Sequence, residues 1–140
     1  MCCYVAMKFC SDKINYMNLK GKVVFITGSS DNIGAATAKL FASSGATVVV
    51  NGMKNIEGAE KVVKEIEENG GKATIMMGDL SDESVVKEIF EKIMNQYGTI
   101  DILINNAGHG HDKDIFDSTK EDWYKALDDC LITAVLCTKY

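Results

Sequence analysis

The sequence predicts an α/β domain: a parallel four-stranded sheet in the order 3-2-1-4 with helices on both faces. Three observations predict it. Short apolar runs rich in β-branched residues recur without alternation, as strands buried on both faces require. Each is followed by a segment with apolar residues at helical spacing, so the chain reads βαβαβαβα and winds by right-handed crossovers. The first run ends in a glycine turn that opens directly into a helix, in the stretch KVVFITGSSDNIG from Lys22 to Gly34. The order 3-2-1-4 follows when the chain reverses direction between strands one and four. Ligands of such sheets bind at the strand carboxyl ends flanking that reversal.

Residues 1–16 show neither helical nor alternating periodicity and read as an arm outside the fold, with Met17 a candidate natural start; a short edge strand is the alternative. The domain then occupies residues 17–140. Val23, Val24, Phe25, Ile26 and Thr27 make the first strand, and the turn from Gly28 leads into a helix with Ile33, Leu40 and Phe41 on its buried side. A glycine at the turn permits positive φ, and one inside the helix permits close approach to the strand. After the Gly45 C-cap, Thr47 to Asn51 is the second strand. Asn55 caps a helix through Asn69, with Ala59, Val62, Val63 and Ile66 on one face. Lys72 to Met77 is the third strand, broken by Gly78-Asp79-Leu80. Ser81, followed by Glu83 and Glu88, opens a helix that buries Val85, Val86, Ile89, Phe90 and Ile93 and ends near Tyr97-Gly98. Ile100 to Asn105 is the fourth strand. A polar loop with His109, Gly110 and His111 precedes a helix from Thr119 to the last residue.

The chain has 140 residues, 46% hydrophobic and 25% charged, which suits one soluble globular domain. A net charge of −5 without a basic cluster argues against nucleic acid or an anionic membrane as partner. All 15 basic residues are lysines, so any phosphate must be held by Lys, hydroxyls or backbone, without a guanidinium fork. The cysteines Cys2, Cys3, Cys10, Cys130 and Cys137 lack C-x-x-C spacing, and their odd number suits a reducing, cytoplasmic compartment. No apolar run reaches the roughly 18 residues of a membrane span. His109 and His111, with Asp112 and Asp114, do not by spacing make a metal site. Cys130 and Cys137 lie seven apart, which reads as one packed helical face.

Thr27-Gly28-Ser29-Ser30-Asp31-Asn32-Ile33-Gly34 closes the first strand, Asp79-Leu80 the third and Asn105-Asn106-Ala107-Gly108 the fourth. Together these segments resemble the amino-terminal half of the classical short-chain dehydrogenase/reductase family, from about Met17 to Tyr140. The resemblance implies a partial Rossmann-type NAD(P)-binding domain, truncated after the fourth strand and its following helix. It implies that Gly28, Ser29, Ser30, Asn32, Ile33 and Gly34 lie under the pyrophosphate and nicotinamide side of a dinucleotide. Asp79 would accept from the adenine amino group with Leu80 beside the ring, although a helix-leading carboxylate is the plainer reading. Asn106, Ala107 and Gly108 would line the adenosine ribose and lock the strand to its neighbours, with turn chemistry as the alternative.

Asn32 stands where the family usually has glycine; asparagine tolerates the left-handed region better than other side chains, but its bulk takes space the pyrophosphate would use. Gly52 stands where NAD-specific members carry a carboxylate for the ribose hydroxyls. Without that charge a 2′-phosphate is not repelled, and Lys54, helped by Ser29, could neutralise it, so NADP(H) is favoured over NAD(H). A solvated lysine is the alternative for Lys54.

The family's chemistry is hydride transfer at a carbonyl, using a Ser and a Tyr-x-x-x-Lys on the fifth strand and next helix. None of Tyr4, Tyr16, Tyr97, Tyr124 and Tyr140 has a lysine four residues on at a place facing the crevice. Cys130 occupies the position of a family asparagine, and a thiol replaces the amide poorly. No catalytic residue is therefore assigned, and the expected function is NAD(P)(H) binding without independent hydride transfer. A fragment of an active carbonyl or 3-oxoacyl-thioester reductase and a non-catalytic sensing or pairing subunit are the alternatives. As the last strand, Asp101 to Asn105 would leave an apolar edge, and the final helix would offer Trp123, Ala126, Leu127, Leu131, Val135 and Leu136; self-association or pairing through both is expected.

Overall fold

The computed structural model describes residues 18–108 and 113–140. The amino-terminal arm and the histidine loop lie outside the described residues. Four parallel strands form one sheet in the order β3-β2-β1-β4: β1 Val23–Ile26, β2 Thr47–Val50, β3 Lys72–Ile75 and β4 Ile102–Ile104. Phe25 lies opposite Val49 on one side and Leu103 on the other, so β1 is the centre of the sheet. The fold class and strand order are those expected from the sequence.

Alternate side chains of β1 serve opposite layers. Val24 and Ile26 pack with α1 (Asn32–Ser43) and α2 (Ile56–Glu68), which contribute Ala35, Ala38, Ala42, Ala59, Val62 and Ile66. Val23 and Phe25 pack on the other face with Val86, Ile89, Phe90 and Ile93 of α3 (Glu83–Tyr97). Phe25 and Phe90 meet edge to face at 5.5 Å between ring centroids. The last helical segment comprises α4 (Lys120–Leu127), a π-helical turn (Asp128–Ile132) and α5 (Thr133–Lys139). α5 joins the second layer through Cys137 and Leu136. Burial pushes the Cys137 thiol up to about 11, which makes it a packing residue.

Three expectations are corrected. Ile33 is 76% exposed, because α1 meets the sheet through the small face of Gly34, Ala35, Ala38 and Ala42. A small-residue face brings the helix close to β1, and Ile33 falls outside it. The third helix is capped by Asp82, whose carboxylate accepts from Ser84 N, while Ser81 belongs to the preceding turn. Cys130 and Cys137 do not share a face, since Cys130 is exposed and Cys137 buried. The π turn adds a residue to the winding between them and rotates one out of line with the other.

β4 has a neighbour on one side only, and Ile102, Leu103 and Ile104 are half-buried. Along the final helix Trp123, Leu127, Leu131 and Val135 are each about half exposed.

Candidate dinucleotide site at the strand carboxyl ends

The site is built on the turn after β1. Gly28 has φ +59°, and a Cβ there would stand 2.8 Å from Ala107 Cα, so only glycine allows the turn to lie against the end of β4. Asn32 has φ +45°, the left-handed conformation that an asparagine tolerates, and the turn keeps its course without the family's glycine.

Two buried polar side chains tie this turn to the strand ends. Thr27 Oγ1 accepts from the amides of Asn106 at 2.9 Å and Ala107 at 2.8 Å. Asn106 Nδ2 donates back to the carbonyls of Thr27 at 3.0 Å and Gly28 at 2.9 Å. On the other side Asn51, 2% exposed, accepts from Gly28 N at 3.2 Å through Oδ1 and donates from Nδ2 to Met76 O at 2.8 Å. Its carbonyl accepts from Ser29 N at 2.7 Å. One side chain thus joins the ends of β1, β2 and β3. The amides of Gly28 and Ser29 are consumed here. Those of Asn32, Ile33 and Gly34 precede the first hydrogen bond of α1, from Ala35 N to Asp31 O, and are the donors an anion would use.

Gly28, Ser30, Lys54, Asp79, Leu80, Ala107 and Gly108 line one crevice of about 510 Å³ at the carboxyl ends of the strands, together with Asn51, Met53 and Asn55. Lys125, Asp129 and Thr133 of the final helix close it, with Lys125 and Asp129 paired at 3.1 Å. Asn32 and Ile33 are exposed at the start of α1; Ser29, Gly34 and Asn106 sit behind the crevice wall. Ser29 cannot assist Lys54, as expected from the sequence, because it is fully buried. Its Oγ donates to Ile26 O at 2.7 Å and accepts from Asn51 N at 3.0 Å. Ser30 is the serine on the crevice. Asp79 Oδ1 accepts from Ser81 N at 3.0 Å and Ser81 Oγ at 2.7 Å, an Asx turn that fixes the carboxylate beside Leu80. Cys130 Sγ would be 3.2 Å from a Cβ on Gly108, so the thiol abuts the end of the β4 segment.

A larger groove of about 640 Å³, lined by Gly45, Gly70, Gly71, Lys20 and Lys72, opens at the amino ends of the strands. It gathers mostly backbone and solvated lysines and lies away from the glycine turn. Lys20 is on this side, remote from the crevice. Among the described residues no group of three His, Cys, Asp or Glu side chains could hold a metal, and no helix is long and apolar enough to cross a membrane.

The family model described as short chain dehydrogenase matches residues 22–140. The chain belongs to the short-chain dehydrogenase family. It is 41% identical over 107 residues to the 3-oxoacyl-acyl-carrier-protein reductase FabG of Thermotoga maritima, covering 76% of this chain and 43% of that protein. Over 113 residues it is 39% identical to 3beta-hydroxysteroid dehydrogenase 1 of Eggerthella lenta, covering 81% and 43%. A dehydrogenase/reductase from Sinorhizobium meliloti superposes with a TM-score of 0.85 at 30% identity, over 91% of this chain and 51% of that one. A short chain dehydrogenase from Burkholderia cenocepacia in complex with NADP gives 0.82 at 32% identity, over 88% and 50%. The chain therefore spans about half the length of the relatives it matches. As a short-chain dehydrogenase it belongs with NAD(P)-dependent oxidoreductases. Sequence reasoning named the glycine turn, Asp79-Leu80 and the Asn105-Gly108 segment but passed over Thr27 and Asn51. Both are small polar residues at the ends of otherwise apolar strands, the one signal that could have singled them out.

Proposed function

We propose that this chain supplies the dinucleotide-binding portion of an NAD(P)(H)-dependent oxidoreductase and does not transfer hydride alone. The observation that carries this reading is the convergence of Gly28, Ser30, Asp79, Leu80, Ala107 and Gly108 on one crevice from three strand ends. The pyrophosphate lies over the turn from Gly28 to Gly34, held by the opening amides of α1. Asp79 offers an oriented acceptor to the adenine amino group, and Asn106, Ala107 and Gly108 border the adenosine ribose. A bound nicotinamide supplies the hydride donor or acceptor of the family's reaction.

NADP(H) is preferred over NAD(H), because Gly52 carries no carboxylate and Lys54 stands on the rim. Cys130 at the family's asparagine position, and the lack of a Ser and Tyr-x-x-x-Lys set on the crevice, support the view that proton transfer is not carried by these residues. Titration of the purified chain with NADPH and NADH, followed by nicotinamide fluorescence, tests the reading. Saturation is expected; no binding of either at millimolar concentration refutes it.

A second reading is favoured by the 41% identity to a 3-oxoacyl-acyl-carrier-protein reductase and by the partial coverage of that relative: the chain is one part of an active carbonyl or thioester reductase. Coding DNA beyond Tyr140 that encodes a Ser and a Tyr-x-x-x-Lys within a few tens of codons supports it, and a stop followed by unrelated sequence refutes it. On either reading the half-buried edge of β4 and the stripe of Trp123, Leu127, Leu131 and Val135 support association with a second copy or a relative.

A further inference from the structure

We propose that Asp31 is a specificity-determining residue: its carboxylate opposes a 2′-phosphate on the rim where Lys54 attracts one, and so sets the ratio of NADP(H) to NAD(H) binding. This rests on the dinucleotide reading above. Asp31 occupies the N-cap of α1 with an extended backbone, φ −157°, yet its side chain makes no capping hydrogen bond. An aspartate in that position ordinarily accepts from an amide of the first turn. Here the carboxylate is turned the other way. Oδ1 accepts from Asn32 Nδ2 at 3.2 Å, and Oδ2 accepts from Asn55 Nδ2 at 3.2 Å.

Asn55 places that charge. Its Oδ1 accepts from Gly58 N at 3.0 Å and caps α2, while its amide nitrogen holds Asp31. A Cβ on Gly58 would stand 2.5 Å from Ser30 O, and one on Gly52 would stand 2.9 Å from Ser30 Oγ. The turn after β1, the end of β2 and the start of α2 are therefore pressed into one rim. That rim runs between the pyrophosphate turn and Asp79-Leu80, so the adenosine ribose lies along it. Its charged side chains are Asp31 and Lys54, with Gly52 contributing none.

Turning the carboxylate outward has two effects. It keeps the first amides of α1 available to an anion, and it moves a negative charge toward the ribose edge. Repulsion from the pyrophosphate is common to both dinucleotides and cancels in their ratio. Only NADP(H) carries the additional phosphate, so the carboxylate acts on discrimination.

The test is a fluorescence titration of the 140-residue chain with NADPH and NADH for the wild type, Asp31→Asn and Lys54→Gln at fixed ionic strength. Asparagine keeps the size of Asp31, a capping side chain and an acceptor for Asn55. The NADPH-to-NADH affinity ratio is expected to rise about 3- to 10-fold in Asp31→Asn and to fall by a similar factor in Lys54→Gln. Raising salt to about 0.5 M should shrink both changes. Asp31→Ser, which retains a capping hydroxyl, gives the same rise by an independent route should the asparagine variant fail to fold. An unchanged ratio in the Asp31 variants, or an equal gain for both dinucleotides, overturns this inference while the binding site stands. Binding of neither dinucleotide to the wild type overturns the site itself and the inference with it.

Discussion

Gly34→Ala sets two known effects against each other at one atom. Within a helix, alanine in place of glycine stabilises by about 1 kcal/mol through backbone entropy. At this position the new Cβ would stand 2.7 Å from both Asn106 Nδ2 and Ser29 Cα and closer still to Gly28 O, where ordinary contact begins at 3.4 Å. The helix start must then retreat by about 0.7 Å or more, a misfit of the kind that costs about 1–3 kcal/mol in well-packed interiors. Little can give way. Two of the atoms are backbone of the tight turn, and Asn106 Nδ2 is bonded to the carbonyls of Thr27 and Gly28. Strain and the weakened Asn106 bonds together outweigh the propensity gain, so net destabilisation of about 1–3 kcal/mol is expected. Urea unfolding followed by circular dichroism reads it as a lower midpoint at unchanged slope. Dinucleotide titration should show weaker binding, because the opening amides of α1 move with the helix. A variant with a midpoint equal to or above the wild type would refute the reasoning and show that the helix relaxes freely at its start.

Thr27→Val keeps the shape of the side chain but removes the acceptor of two partly buried amides, and should cost about 1–3 kcal/mol in urea unfolding. Asn51→Leu leaves Gly28 N and Met76 O without their partner in a fully buried position, and a loss of about 2–4 kcal/mol is expected by the same measurement. Glu83 is held at about 2, against an ordinary 4.5, first by the hydrogen bond from Lys139 and then by that from Tyr140. Its contribution is present above the unfolded value of 4.5 and is lost as pH falls through the folded one. The stability difference between wild type and Glu83→Gln, small for an exposed group, should therefore persist near neutrality and vanish toward pH 2; a difference independent of pH would contradict it. Leu131→Glu with Val135→Lys should shift sedimentation toward monomer, whereas an unchanged distribution would remove that helix from the association surface.

The fold was legible because every element carries a strong local pattern. Val23 to Ile26 and Thr47 to Val50 are unbroken apolar runs, and the apolar spacing of α2 and α3 matches their buried faces. Strand ends were drawn one to two residues long, since Asn51, Met76 and Asn105 continue the chain direction after ladder pairing has stopped. The site was legible where a conformation is demanded locally, at Gly28 and at Asn32. It was illegible where the deciding partner is distant in sequence. Ser29 and Ser30 are chemically identical neighbours, and only the position of Asn51 makes one a buried brace and the other a crevice residue. The π turn has no composition of its own, so the facing of Cys130 and Cys137 had no signature to read.

That π turn has a consequence for inheritance by insertion and deletion. Removal of any one residue between Asp128 and Ile132 would let the segment rewind as ordinary α-helix and would swing everything after it by about 100°. Cys137 and Leu136 would leave the layer they share with Phe25, and Thr138 would lose Asn105, which it meets at 3.0 Å. The final helix thus behaves as a keyed shaft: a substitution along its outer side can be absorbed, but a change in length of a single codon turns the whole carboxyl end away from its seat.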